Sequence, residues 1–99
     1  MDSEEQVINT LKQIIDPEIG VNIFDLGLIY DLAITDSQIK VIMTLTTPGC
    51  PMHSSITAWV ENALKQFDPS KEIYVELVWQ PRWTPDMMSN EARLQLGYN

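Results

Sequence analysis

The chain has 99 residues and a mass of 11.3 kDa, which is the size of one domain, and we expect a single domain over residues 1–99. Its hydrophobic residues, 44% of the total, are those of an ordinary globular protein and exclude a disordered or fibrous chain. Fourteen acidic residues against six basic ones, a net charge of −8, exclude a general nucleic-acid or anionic-membrane surface, because both require a basic patch.

The first half of the chain predicts a helix followed by a hairpin. Residues 3–15 have one apolar stripe at helical spacing, with Ser3 and Gln6 in the positions of a capping box, and Pro17 is expected to end the helix. Residues 28–34 alternate as a strand, with Leu28, Tyr30, Leu32 and Ile34 on one face and Asp31 on the other. After a turn at residues 36–37, the apolar residues of 39–45 alternate as a second, antiparallel strand.

The second half predicts a helix, a strand and a short helix. A helix opens at residues 48–51 and runs to Phe67, with Trp59 included in its apolar stripe. Residues 73–79 alternate as a third strand, and Ser89 and Gly97 are expected to cap a last helix. The order helix-strand-strand-helix-strand-helix predicts an α+β two-layer sandwich, a three-stranded sheet with helices on one face. The pattern leaves open whether the third strand lies beside the first or the second.

Cys50 is the strongest candidate for a chemically active residue. As the only cysteine it excludes an intramolecular disulfide, a four-cysteine zinc site and a cluster held entirely by thiolates of one chain. It lies in the strand-to-helix segment TTPGCP, residues 46–51, where amide groups at a helix start would stabilise a thiolate. The alternative is a small buried apolar residue, since free cysteine is among the most buried types.

Other candidate residues have plain structural alternatives. His53 could add a second metal ligand one turn after Cys50, or be an exposed helix residue. Asp16 and Glu18 could receive protons or hold a cation, or form a solvated turn after the helix. The remaining candidates are Thr46 and Thr47, as hydrogen-bond donors near Cys50 or as ordinary strand-end residues.

The C-terminal segment is rich in tryptophan and proline. Residues 79–85 could close over a site, form a partner surface or cover one end of the core. Arg93, on the last helix, could pair with one of the eight acidic residues of the first 36 residues, or form an ordinary surface salt bridge. The polar start, MDSEEQ, and the lack of a long apolar run predict a cytoplasmic protein that does not enter a membrane.

Four segments together resemble a known family. They are DPEIG at 16–20, DLGLIY at 25–30, TTPGCP at 46–51 and VWQPRWTPDMMSNEARLQLG at 78–97. In this order they resemble the SufT-like and PaaD-like iron–sulfur cluster assembly factors, the metal–sulfur cluster biosynthesis family. The resemblance implies a small α+β domain that helps deliver clusters, with Cys50 as the functional thiol. It also implies that Asp16, Glu18, Thr46 and Thr47 are grouped around that thiol, whereas His53 matches no motif and Arg93 matches less securely.

These expectations lead to one principal hypothesis and two alternatives. The principal one is a non-enzymatic assembly factor in which Cys50 transiently binds iron or an iron–sulfur cluster, with no permanently bound cofactor. The other ligands would come from a partner protein, a second subunit in a homodimer, or glutathione; the expected partners are assembly machinery and client apo-proteins. The first alternative is an adaptor that recruits the machinery, with Cys50 structural. The second is a small thiol-dependent enzyme.

Overall fold

The computed structural model describes residues 3–17, 19–46 and 53–97. Its elements are helix α1 (Ser3–Leu11), strands β1 (Ile29–Ile34) and β2 (Gln38–Met43), helix α2 (His53–Phe67), strand β3 (Glu72–Leu77), a 3-10 turn (Pro85–Met87) and helix α3 (Asn90–Leu96). This is the α+β order expected from the sequence. None of the described helices is both long enough and apolar enough to cross a bilayer.

The three strands form one mixed sheet in the order β1-β2-β3. β1 and β2 pair antiparallel, as the hairpin prediction requires, and β3 lies parallel to β2. Because neighbouring parallel strands need a crossover connection, α2 lies between them in the chain and packs on the sheet. The strand order left open by the sequence is therefore settled in favour of β3 beside β2.

One face of the sheet is buried under helices and the other is open. Ile39, Val41 and Met43 of β2 are fully buried, and the residues between them are only half-buried. Ile56, Val60 and Leu64, one stripe of α2, are fully buried as well, and two residues of α1 join the same core. The two residues of α1 in this core are Val7 and Leu11. The two-layer arrangement with helices on one face of the sheet is therefore confirmed.

Three local predictions are wrong. Helix α1 ends at Leu11 rather than residue 15, because the chain tightens into 3-10-type bonds and Ile15 then pairs with Asn22 as an isolated bridge. Ile15 is consequently 47% exposed. The alternation of β1 is broken by a bulge between Ile29 and Asp31, so Ile29 packs against the core in addition to Leu32 and Ile34.

The third concerns Trp59, which the helical spacing placed in the buried stripe of α2. It is 40% exposed. The stripe that packs on the sheet repeats at four-residue spacing, and Trp59 lies at its border.

The last helix forms as predicted. The Ser89 hydroxyl accepts a hydrogen bond from the Ala92 amide at 3.2 Å, which caps the helix start. Gly97 ends the helix with a φ of 84° in the left-handed region. Both ends of α3 were therefore encoded locally.

Candidate functional site

Asp16 lies in a tight turn after α1 and is only 2% exposed. Its backbone carbonyl accepts hydrogen bonds from the amides of Ile19 and Gly20, at 3.2 and 2.7 Å, and its own amide donates to Val21. The solvated-turn interpretation is therefore wrong for this residue. No buried side-chain nitrogen or oxygen of the described residues lacks a hydrogen-bond partner, so the carboxylate is buried in a polar arrangement.

The chain after β2 leads through Thr44 into the TTPGCP segment, whose first residue is Thr46. Thr44, 1% exposed, continues the pairing with β1 by donating its amide to the Leu28 carbonyl at 2.8 Å. Thr46 is half-buried and is the last described residue before that segment continues. It lines a cavity of about 160 Å³, whose walls are Thr44, Leu45, Thr46, Trp79, Gln80, Arg82 and Trp83.

Tyr30 connects the β1 bulge to the C-terminal segment. Its hydroxyl donates to the Pro81 carbonyl at 2.6 Å and also contacts Thr44. Burial raises the pKa of Tyr30 above its ordinary value, and the hydrogen bond with Thr44 offsets part of that rise. The phenol therefore stays a hydrogen-bond donor at neutral pH. Sequence reasoning treated Tyr30 only as a strand residue, because no local signal points to a partner 51 positions away.

The tryptophan- and proline-rich segment is fixed to the turn that carries the DLGLIY motif. The Trp83 indole donates to the Leu26 carbonyl at 2.7 Å, and the Ser89 amide donates to the Asp25 carbonyl at 2.7 Å. Trp83 packs against the core, whereas Trp79 is 36% exposed. The segment thus covers one end of the core, which is one of the roles expected for it, and it also forms a cavity wall.

Arg93 pairs with Asp86 and, among the described residues, with no acidic residue of the first third of the chain. Its guanidinium lies 3.2 Å from the Asp86 carboxylate, and the Asp86 side chain is 95% exposed. The two residues are seven positions apart, on the 3-10 turn and α3. This is the ordinary surface salt bridge that the sequence offered as the alternative, and it contributes little to stability.

The remaining predicted site residues lie outside what the structure describes. They are Cys50, Thr47 and Glu18, together with the side chain of His53, the residue at which α2 begins. Within the described ranges, no three side chains of histidine, cysteine, aspartate or glutamate come together as a metal site. The predicted ligand and hydrogen-bonding roles of these residues therefore stay predictions.

Comparison with known proteins identifies the family. Residues 4–77 match the model of a family described as iron-sulfur cluster assembly protein. The chain belongs to this iron–sulfur cluster assembly family. The resemblance drawn from the four sequence motifs is confirmed.

Relatives of similar length support this assignment. The chain is 41% identical to the Bacillus subtilis Fe-S protein maturation auxiliary factor YitW, over 95% of this chain and 93% of that protein. It is 41% identical to the Staphylococcus aureus Fe-S protein maturation auxiliary factor SufT, over 85% of this chain and 97% of that protein. A Bacillus anthracis structure described as a domain of unknown function, DUF59, has a TM-score of 0.89 and 38% identity, with coverages of 97% and 92%.

The family model and the cavity overlap only in part. The matched residues 4–77 include Asp16 and the TTPGCP segment, which lie in the iron–sulfur cluster assembly domain proper. They end before Trp79, so the cavity wall formed by residues 79–83 lies outside the matched region. The neighbour from Bacillus anthracis nevertheless spans 97% of this chain. The C-terminal segment is thus a shared part of the fold, beyond the region that the family model matches.

Proposed function

We propose that this protein is a non-enzymatic accessory factor in iron–sulfur cluster assembly, or in cluster delivery to client apo-proteins in the cytoplasm. The observation that carries the proposal is family membership over residues 4–77, a region that contains the TTPGCP segment. Relatives from two bacteria, similar to this chain over most of their length, are named Fe-S protein maturation auxiliary factors. The cluster is cargo in this proposal, and no cofactor is permanently bound.

Cys50 is the proposed ligand for iron or for one corner of a cluster. The thiolate is the form of cysteine that binds metal, and the start of a helix favours it over the thiol. Helix α2 begins at His53, three positions after Cys50 in the chain, and this supports the assignment. One thiolate leaves the other coordination positions of the cargo to an assembly partner, a second copy of this chain or glutathione. Such shared coordination allows the cargo to be released.

Asp16, Glu18, Thr46 and Thr47 are proposed to modulate the thiol and its hydrogen bonds rather than bind the cargo directly. Two observations support this role. Asp16 is almost fully buried, so its carboxylate is fixed by the fold, unlike a freely moving surface acid. Thr46 lies at the cavity on the chain segment that leads to Cys50. Outer hydrogen-bonding groups of this kind orient metal ligands and tune their affinity.

The test is anaerobic cluster reconstitution followed by transfer to a client apo-protein. We expect wild-type protein to accelerate transfer and Cys50→Ala to remove the acceleration. Cys50→Ser is the matched variant, because it retains a similar side chain without a thiolate, and circular dichroism checks that both variants fold. Unchanged transfer by folded Cys50→Ala and Cys50→Ser proteins would contradict the ligand role.

An adaptor that recruits assembly machinery is the second candidate. It is favoured by the exposed acidic side chains of the first third of the chain and by the exposed Trp79. Pull-down of assembly proteins with wild type and Cys50→Ser separates the two functions. Undiminished binding together with normal client maturation in Cys50→Ser would support the adaptor and contradict the ligand role.

A thiol-dependent enzyme makes a different prediction about Cys50. An activated nucleophile has a thiol pKa below the free-cysteine value of about 8.5 and forms a covalent intermediate during turnover. The pH dependence of iodoacetamide labelling measures that pKa. We propose that no covalent turnover occurs; a covalent adduct that forms and decays with substrate would show the contrary.

A further inference from the structure

Among the lysines and arginines of the described ranges, Arg82 differs from the others in having no partner. Five of the six are engaged, namely Lys12 over the Phe24 ring, Lys40 with Glu76, Lys65 with Glu61, Lys71 with the Thr35 carbonyl and Arg93 with Asp86. In the described part of the chain, Arg82 makes no ion pair, hydrogen bond or ring contact.

Arg82 is an exposed residue that lines the 160 Å³ cavity at the end of β2. The cavity is also lined by Trp79, Trp83, Thr46 and Gln80. Its volume is below the roughly 300 Å³ at which complete small-molecule sites begin, so it accommodates one side chain. A guanidinium beside apolar ring surfaces fits a carboxylate, which it can bind through two parallel hydrogen bonds.

The cavity wall is held in place before anything binds. The Pro81 carbonyl accepts the Tyr30 hydroxyl at 2.6 Å, and the Trp83 indole donates to the Leu26 carbonyl at 2.7 Å. These bonds flank Arg82 on both sides in the chain. Binding therefore orders few groups beyond the Arg82 side chain itself, which lowers the entropic cost.

Two other cavities in the described part of the chain lack this combination. One, of about 250 Å³, is lined by Glu4, Asp31 and uncharged residues, without a lysine or arginine. The other is larger. It measures about 500 Å³ on the open face of the sheet and is lined by Gln38, Lys40, Tyr74, Val75 and Glu76. Its cation, Lys40, already has a carboxylate partner in Glu76 at 3.7 Å. Charge complementarity therefore singles out the Arg82 cavity.

We propose that the Trp79–Arg82–Trp83 cavity docks an aspartate or glutamate side chain of a partner protein. Tryptophan and arginine are the residue types that most often dominate binding energy at interfaces. The docked acid positions the partner next to the chain segment that leads into TTPGCP. That the partner is a client or an assembly protein rests on the proposed function; the docking chemistry rests on the cavity alone.

The test uses the indole N–H signals in a two-dimensional ¹H–¹⁵N NMR spectrum of the full chain. The three tryptophans give three such signals, and Trp59 on α2 is an internal reference away from the cavity. The probe is a capped dipeptide containing aspartate, compared with its asparagine counterpart and with inorganic phosphate. We expect the aspartyl probe to shift the Trp79 and Trp83 signals saturably and to leave the Trp59 signal unchanged.

Arg82→Gln is expected to weaken this binding roughly fivefold, which is about what an exposed ion pair contributes. Lys65→Gln is the matched control, because it removes the same charge from α2 and should leave the affinity unchanged. Equal binding of the asparaginyl probe, full binding by Arg82→Gln, or tighter binding of phosphate than of the aspartyl probe would overturn the proposal.

The two proposals fail separately. Cys50→Ala is expected to bind the aspartyl probe like the wild type, because the proposed recognition is made by Arg82 and the two tryptophans. Absent probe binding with intact cluster transfer contradicts the cavity alone. Intact probe binding with Cys50-independent transfer contradicts the ligand role alone.

Discussion

Replacement of Gly27 by alanine tests how the C-terminal segment is attached to the fold. Gly27 has a φ of +81°, which side chains other than glycine rarely adopt. An added Cβ would lie 2.7 Å from the Met87 carbonyl carbon and 2.9 Å from the Met87 Cβ, and closer still to the carbonyl oxygen. Because backbone atoms of Met87 are involved, a side-chain rotation cannot relieve the overlap.

Two contributions determine the expected loss of stability. The left-handed backbone conformation costs an alanine about 1–2 kcal/mol. Moving the Met87 backbone away also strains the hydrogen bonds on either side, from Trp83 to Leu26 and from Ser89 to Asp25, at about 1 kcal/mol each. We therefore expect Gly27→Ala to lower the free energy of unfolding by about 3–4 kcal/mol.

Gly20→Ala and Gly97→Ala are matched controls. Their φ angles, +85° and +84°, are nearly the same as that of Gly27, but an added Cβ meets nothing within 4 Å at either position. Each should lose only the conformational part, about 1–2 kcal/mol. The difference between Gly27→Ala and the controls isolates the contact with Met87.

Urea unfolding followed by circular dichroism measures all three variants. Tryptophan fluorescence reports in addition on Trp83, whose indole should become more exposed in Gly27→Ala alone. If Gly27→Ala loses no more stability than Gly20→Ala, the close contact between the Met87 backbone and Gly27 would be contradicted.

Two further variants test the Tyr30 hydroxyl and the last helix. Tyr30→Phe should lose about 1 kcal/mol at neutral pH through the missing hydrogen bond to Pro81. Because the folded state raises the pKa of Tyr30 above 10.0, its contribution is complete below pH 10.0 and falls as the pH rises through the raised pKa. The stability difference from wild type should shrink in that alkaline range; a constant difference would contradict the assignment. Ser89→Ala should lose about 1 kcal/mol through the missing cap to the Ala92 amide. Gln95→Ala, an exposed position on the same helix, should lose almost nothing, and equal losses would contradict the capping role.

Much of the fold could be predicted because its signals are local. The alternation of apolar residues along β2 and the four-residue spacing in α2 each reflect one buried face, and burial follows them. The ends of α3 were predictable from Ser89 and Gly97, since each residue acts on the helix to which it is attached. The family could be recognised because four motifs occur in a fixed order along the chain.

The predictions that failed depended on partners far along the chain or on a competing local arrangement. Ile15 leaves the helical stripe because it pairs with Asn22, and the β1 bulge brings Tyr30 to a carbonyl 51 positions away. For Arg93 the sequence left two partners open, and the structure has the surface salt bridge, with Asp86 on the neighbouring turn. Arg82 carried no sequence signal, because its lack of a partner is a property of its surroundings.

The sequence by itself determined the kinds of elements, their order, the buried face of β2 and the family, since each depends on the periodicity or identity of residues close together in the chain. The tertiary structure alone decided that β3 lies parallel to β2, that Asp16 is buried, and that residues 79–83 form a cavity beside Thr46. Each of these depends on contacts between distant segments. Such contacts are selected by the packing of the whole core, and no single segment encodes them.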